Sequence, residues 1–260
     1  MKLKPRDPGV VAIIQARMGS SRLPGKVLED IGGSAMLARV VVRARRAQRL
    51  GRVVVATTTD HSDMPVFNFC RAQGFACFRG DPLDVLDRYY QAACHFEAKV
   101  IVRLTADCPV IDPAEIDRTA AAFFEAQVDF AANRLPSPWK RTTPIGMDTE
   151  VVSFNALARA WREAEAKYAR EHVMPYLYEE TGRFKTLLVD RTPDLGHLRL
   201  TVDTPEDLDL IRQIYGHFDN IDDFSLDDMV VLFCENPDLI KINADVVHKS
   251  FKDVDSRAID

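Results

Sequence analysis

Twelve residues near the N-terminus, Gln15-Ala-Arg-Met-Gly-Ser-Ser-Arg-Leu-Pro-Gly-Lys26, set Arg17, Arg22 and Lys26 among Gly19, Ser20, Ser21 and Gly25. Small residues let a backbone approach a ligand closely, hydroxyls donate hydrogen bonds, and three cations neutralise phosphate charge. That is the chemistry of a triphosphate cradle. It is not a Walker A loop: five residues, one too many, separate Gly19 from Gly25-Lys26, and Val27 stands where a Ser or Thr would hold magnesium. A basic surface loop is the plain alternative, and the density of cations beside small residues argues against it.

Two aspartates stand out because their local duties are already filled. In Arg103-Leu-Thr-Ala-Asp-Cys-Pro-Val-Ile-Asp-Pro-Ala-Glu115, Asp112 before Pro113 is the expected helix cap, with Glu115 as its box partner, so Asp107 has no capping role. In Leu200-Thr-Val-Asp-Thr-Pro-Glu-Asp-Leu208, Thr204 and Asp207 form the expected box, which leaves Asp203 over. Two spare carboxylates at strand ends could share one Mg²⁺, a hard cation that keeps one or two protein carboxylates and completes its shell with phosphates and waters.

The elements that must position these groups are short apolar runs alternating with helical patterns. Strands are expected at 10–15, 52–57, 75–79, 99–105, 129–132, 150–153, 185–189 and 198–202. Helices are expected at 34–49, 63–73, 82–96, 113–126, 156–166, 170–180, 205–216 and 226–235. Strands without polar alternation, separated by helices, mean βαβ crossovers and a mostly parallel sheet covered on both faces, hence an α/β fold. In such a sheet ligands sit at the carboxyl ends of the strands, where both the loop and Asp107 fall. Residues 1–216 are expected to form the main domain, with 129–189 as an acceptor-binding or dimerisation insertion. Residues 217–260 are expected to be a helical extension packed on the outside.

The whole composition is the ordinary mix of a soluble globular protein. The 260 residues carry 34 Lys+Arg against 39 Asp+Glu, a net charge of −5, with 47% hydrophobic and 28% charged residues. This excludes a disordered chain, a collagen and a disulfide scaffold, and an acidic balance disfavours non-specific nucleic-acid binding. Arg39, Arg43, Arg45, Arg46 and Arg49 form a stripe at helical spacing, expected to be a solvated face. Five cysteines without a C-x-x-C pair suggest free thiols. The apolar run at 10–14 is too short for a signal segment or membrane span, so a cytoplasmic location with no membrane partner is expected.

The loop 17–26, the Asp107 segment and Val202-Asp-Thr-Pro-Glu-Asp-Leu208 resemble the CMP-sugar cytidylyltransferase family, relatives of CMP-KDO synthetase and acylneuraminate cytidylyltransferase. Arg79-Gly-Asp-Pro-Leu-Asp-Val-Leu-Asp-Arg-Tyr89, Gly146-Met-Asp-Thr-Glu-Val151, Arg170-Glu-His-Val173 and Ile242-Asn-Ala-Asp245 resemble its spore coat polysaccharide (SpsF-like) branch. The likeness spans Val10 to about Lys249. It implies a Rossmann-related, GT-A-like nucleotidyltransferase fold, a homodimer, and transfer of CMP from CTP to an acidic or phosphorylated sugar.

By that resemblance Arg17, Ser20, Arg22 and Lys26, with Gly19 and Ser21, would hold the triphosphate, and Asp107 and Asp203 the Mg²⁺. Gln15, Ala16, Arg79, Gly80 and Asp84 would recognise cytosine, with Arg103 and Thr105 completing the nucleotide site. Asn133, Arg141, Gly146, Asp148, Glu150 and His172 would form the sugar pocket. Arg22, Lys26 and Asp107 would carry catalysis. The chain departs from CMP-KDO synthetases in having Thr105-Ala106 where those enzymes have Gln-Gly before the metal aspartate. His172 is open to a structural role as much as to that of a base, and the loop Pro136-Ser-Pro-Trp139 to a lid or a dimer contact. Two other readings stay open: a GT-A glycosyltransferase using a nucleotide-sugar donor, which needs fewer cations, and a non-catalytic nucleotide-binding protein.

Overall fold

The protein is described by a computed structural model over residues 6–136 and 138–247. Ser137 of the Trp139 loop, the basic start of the chain at Lys2 and Lys4, and the final part of the C-terminal extension lie outside the described residues.

β1 (Asp7–Gln15) lies mid-sheet between β4 (Leu50–Thr58) and β6 (Val100–Thr105), parallel to both. Its side chains alternate between two cores: Val10, Ala12 and Ile14 enter one, Val11 and Ile13 the other. A strand covered on both faces has no solvent side, which is why its sequence shows no polar alternation. Each fully buried Ile or Leu contributes roughly 1.5–3 kcal/mol. β5 (Ala76–Gly80) closes one edge, and beyond β6 follow β8 (Glu150–Ser153), β7 (Phe130–Ala132) and β9 (Thr186–Leu188). The order is β5-β4-β1-β6-β8-β7-β9, and only β8 runs against its neighbours. The stretch 129–189 thus extends the sheet past β6.

One core holds side chains of α1 (Met36–Ala44), α2 (Met64–Ala72), α4 (Pro113–Ala126), α8 (Pro205–His217) and α9 (Leu226–Glu235). The other holds α3 (Val85–His95), α5 (Phe154–Glu163), α6 (Lys167–His172) and α7 (Pro175–Tyr178).

Several expectations are corrected. The helix expected from Ser34 starts at Met36, because Gly32 and Gly33 turn a small hairpin of β2 (Asp30–Ile31) and β3 (Ser34–Ala35) just before it. The helix expected over 170–180 breaks where Val173 takes φ 72° and Pro175 opens α7. The strand expected at 198–202 makes one bridge, Ile145 to Arg199, because its other polar groups lace over the end of β6. Glu115 spends its carboxylate on Arg118 and Arg191 rather than on a capping box. The arginine stripe is solvated only in part: Arg39 is 4% exposed and Arg43 not at all, whereas Arg45, past the end of α1, is exposed. Nor is the extension merely external, since Leu226, Met229 and Leu232 of α9 join the core.

Candidate active site

β1 lies between β4 and β6, and at its carboxyl end the loop after β6 is tied to it, Ala106 N–H donating to the Gln15 carbonyl at 3.0 Å. In an open α/β sheet this edge is where ligands bind. The loop after β1 is folded back on itself. Gly25 N–H donates to the Met18 carbonyl at 2.9 Å, and Met18 N–H donates to Asp63 at 2.6 Å. Gly25 sits at φ +76°, the left-handed region that lets the chain enter the short turn Lys26–Leu28.

That turn sends the Lys26 side chain inward. Its ammonium is 2.8 Å from Asp107 Oδ2, 2.8 Å from Asp203 Oδ1 and 2.7 Å from the Val202 carbonyl. Three predicted residues from three distant stretches of the chain therefore meet at one ammonium. Arg22 joins them, 3.0 Å from the second oxygen of Asp203. The segment carrying Asp203 is stitched to the β6 loop, with Val202 N–H and the Thr201 hydroxyl both donating to the Asp107 carbonyl at 2.8 and 3.0 Å.

Burial alone would hold the Lys26 ammonium down, but Asp107 and then Asp203 outweigh it and raise it above its usual value. Burial likewise works to raise the Asp203 carboxyl, yet Lys26, Arg22 and Arg199 bring it down to about 2. Lys26 and Asp203 are therefore both ionised at neutral pH. Two anionic carboxylates sharing one small cation are the donor set of a site that takes Mg²⁺ with phosphate oxygens completing the shell. Among the described residues no group of three or more His, Cys, Asp or Glu could hold a metal ion, so the two aspartates would need oxygens from elsewhere. The two aspartates fit Mg²⁺ as a phosphate-dependent site.

The other expected nucleotide residues line the same edge. Gln15 ends β1, with its Oε1 buried and without a hydrogen-bond partner, while Ala16 N–H continues the ladder to the Ala56 carbonyl at 3.1 Å. Gly19, Ser20 and Ser21 lie at the outer turn of the loop, and the Ser20 hydroxyl accepts from Leu23 N–H. Arg17, half-buried, stands within electrostatic reach of Arg88. Arg79 and Gly80 close β5, the Arg79 guanidinium bonding the Thr58 and Asp60 carbonyls at 2.8 and 3.1 Å. Thr105 pairs with Cys108 at 3.2 Å. Asp84 has structural duties: it caps α3 and pairs with Arg170.

Three of the expected sugar residues are ion-paired, and the others hold or shape the backbone or end a helix. Arg141 forks onto Asp148 at 2.6 and 3.1 Å, and Arg103 pairs with Glu150. Asn133 clamps backbone, donating to the Met147 carbonyl and accepting from Thr149 N–H, both at 2.8 Å. Gly146, at φ +101°, lies against the Leu200 backbone, where a Cβ would sit 2.5 Å from the carbonyl. His172 ends α6, half-buried.

Sequence reading missed Asp63, Arg88 and Arg199. Asp63 lies at the expected helix start yet turns back to hold the cradle loop at Met18. Arg88 stands in the apolar row Val85, Tyr89 and Ala92 of α3 and is 2% exposed, the one signal that could have marked it. Arg199 is buried beside Asp203 and Asp207, at 2.9 and 2.8 Å.

Comparison with known proteins follows the same lines. The family model described as cytidylyltransferase matches residues 11–236. The spore coat polysaccharide biosynthesis protein SpsF of Bacillus subtilis is 33% identical over 239 residues, covering 88% of this chain and 95% of that one. The 3-deoxy-manno-octulosonate cytidylyltransferase of Rhizobium johnstonii is 31% identical over 243 residues, 79% of this chain and 95% of that one. The solved structure of a cytidylyltransferase from Leptospira borgpetersenii superposes with a TM-score of 0.84 at 33% identity, covering 92% of this chain and 99% of that one.

Proposed function

Because this chain belongs to the cytidylyltransferase family, we propose that it transfers CMP from CTP to an acidic or phosphorylated sugar and releases pyrophosphate. The observation that carries this reading is the meeting of Lys26, Arg22, Asp107 and Asp203 at the carboxyl ends of β1 and β6.

An acceptor oxygen attacks the α-phosphorus of CTP. The new O–P bond forms as the bond from that phosphorus to the bridging oxygen breaks, and pyrophosphate departs with the electron pair. Such a reaction asks the protein for alignment and charge neutralisation more than for covalent chemistry. The loop 15–26 would cradle the triphosphate by its N–H groups and hydroxyls, with Arg17, Arg22 and Lys26 offsetting its charge. Incoming phosphate oxygens would compete with Asp107 and Asp203 for the Lys26 ammonium and so free the carboxylates to serve as Mg²⁺ ligands. Mg²⁺, when held there, would neutralise phosphate charge and lower the pKa of the attacking group.

Gln15, with its unmatched buried carbonyl oxygen, and the Arg79–Gly80 strand end would meet the base; Ala16, Arg103 and Thr105 complete that wall. The Arg141–Asp148 and Arg103–Glu150 pairs would present charge to the acceptor, His172 would touch it or serve as a base, and Asn133 and Gly146 would shape the backbone of the 133–150 segment. Asp84 acts through α3. A homodimer in the cytoplasm goes with this reading, and light scattering tests the oligomer.

The deciding experiment is pyrophosphate release with Mg²⁺ and each of CTP, UTP, ATP and GTP, against 2-keto sugar acids and phosphorylated sugars. CTP-selective release with one acceptor is expected. Release with another nucleotide would overturn the base assignment. CTP binding with no release on any acceptor would favour a non-catalytic nucleotide-binding protein.

A further inference from the structure

The Ile242-Asn-Ala-Asp245 motif lies more than two hundred residues beyond the cradle loop in sequence, yet its asparagine is only 4% exposed. Asn243 Nδ2 donates to Asp207 Oδ1 at 2.8 Å and to the Arg199 carbonyl at 3.1 Å. Asp207 is fully buried, and its two oxygens divide their work. Oδ2 accepts the backbone N–H groups of Asp203 and Thr204, at 2.9 and 3.1 Å, as the helix-start box requires. Arg199 forks across both oxygens at 2.8 Å and reaches on from Nη2 to Asp203 Oδ2 at 2.9 Å. A capping box needs only one of those oxygens. The other is shared by Arg199 and Asn243.

From this geometry we infer that Asn243 is a positioning residue for the Asp203 carboxylate, acting through Asp207 and Arg199. The inference rests on the reading above that Asp203 holds the metal. Asn243 adds to the forked Arg199–Asp207 pair a donor from a segment outside α8, and at the same time holds the Arg199 backbone through its carbonyl. Without it the Arg199 carbonyl and one face of Asp207 Oδ1 lose a buried partner, and Asp203 Oδ2 loses a fixed neighbour. Mg²⁺ demands near-ideal octahedral oxygen geometry and Mn²⁺ takes the same oxygen donors, so a carboxylate that loses its outer partner is felt as affinity. The same C-terminal segment touches the cluster once more, where Arg22 Nη1 donates to the Val247 carbonyl at 3.3 Å.

The test is Mn²⁺ binding by electron paramagnetic resonance, with and without CTP, to the wild-type protein, N243A and N243D. N243D keeps shape but sets an acceptor against Asp207 Oδ1. Mn²⁺ affinity in the CTP complex should fall about 10–100-fold in N243D and less in N243A, while metal-free CTP affinity stays within about twofold. Mn²⁺ affinity unchanged in both folded variants would overturn the inference. So would equal losses of metal and CTP affinity, the mark of general loosening. A wild-type protein that binds CTP but no Mn²⁺ would remove Asp203 from the metal site, and the inference with it.

Discussion

At the scale of single residues, Lys26 is the most constrained group of the site, because its buried ammonium answers two carboxylates and a carbonyl at once. Asp203 keeps Arg22 and Arg199 when that lysine is removed, so Lys26→Ala should remain folded by circular dichroism. Its kcat/KM for CTP should drop by about 10²–10³, the usual cost of one lost contact to developing charge. Asp107→Asn should lose a similar factor. Turnover unchanged in either would remove the cluster from the reaction. Gly146 makes a different kind of prediction. Its positive φ and the Leu200 backbone 2.5 Å from a would-be Cβ leave no room for a methyl group. Gly146→Ala should therefore destabilise by about 2 kcal/mol or more in urea unfolding.

At the scale of elements, the C-terminal helix is fastened by buried arginines rather than by apolar contact alone. Arg43 donates to the Ile111, Asp222 and Phe224 carbonyls, each at 2.9 Å, and stacks over the Phe224 ring at 4.2 Å. Arg39 lies over Tyr215 and pairs with Asp222. Arg43→Met strips three buried carbonyls of a donor and should cost about 3 kcal/mol or more by chemical denaturation. Tyr215 bonds the Pro109 carbonyl at 2.8 Å within the same seam. Burial pushes its phenol well above the usual 10.0, with Arg43 opposing. A group raised on folding contributes its full stability below the unfolded value and loses it as pH rises past that value. Alkaline unfolding should accordingly begin above pH 10.0, and Tyr215→Phe should make the fall in stability with pH shallower there.

At the scale of the whole molecule, the Lys26 cluster joins the loop after β1, the loop after β6 and the 198–204 segment, so a ligand bridging them should stabilise the entire chain. CTP with Mg²⁺ at about a hundred times Kd should add ~2.7 kcal/mol, or a Tm shift of about 5–10 °C by scanning calorimetry. UTP, ATP and GTP should shift it far less. Equal shifts from all four would overturn cytosine selectivity. How much of this was legible beforehand depended on range. The α/β class, the central strand and the Thr204–Asp207 box follow from periodicity and cap chemistry, which act within a few residues. Asp107 and Asp203 could be singled out because their neighbours already filled the local posts. The fate of the arginine stripe could not, since helical spacing shows which residues share a face and not what covers it. Arg39 and Arg43 were buried by a segment some 180 residues away. Likewise the pattern at 198–202 has the look of a strand, but its partners are loop carbonyls that no local rule supplies. The sequence by itself determined most of the elements, the cation-rich loop and the surplus carboxylates, because propensity and capping are local. Only the tertiary structure decided that Lys26 would join those carboxylates and that Asn243 would brace them, because long-range hydrogen bonds depend on where the sheet brings distant segments together.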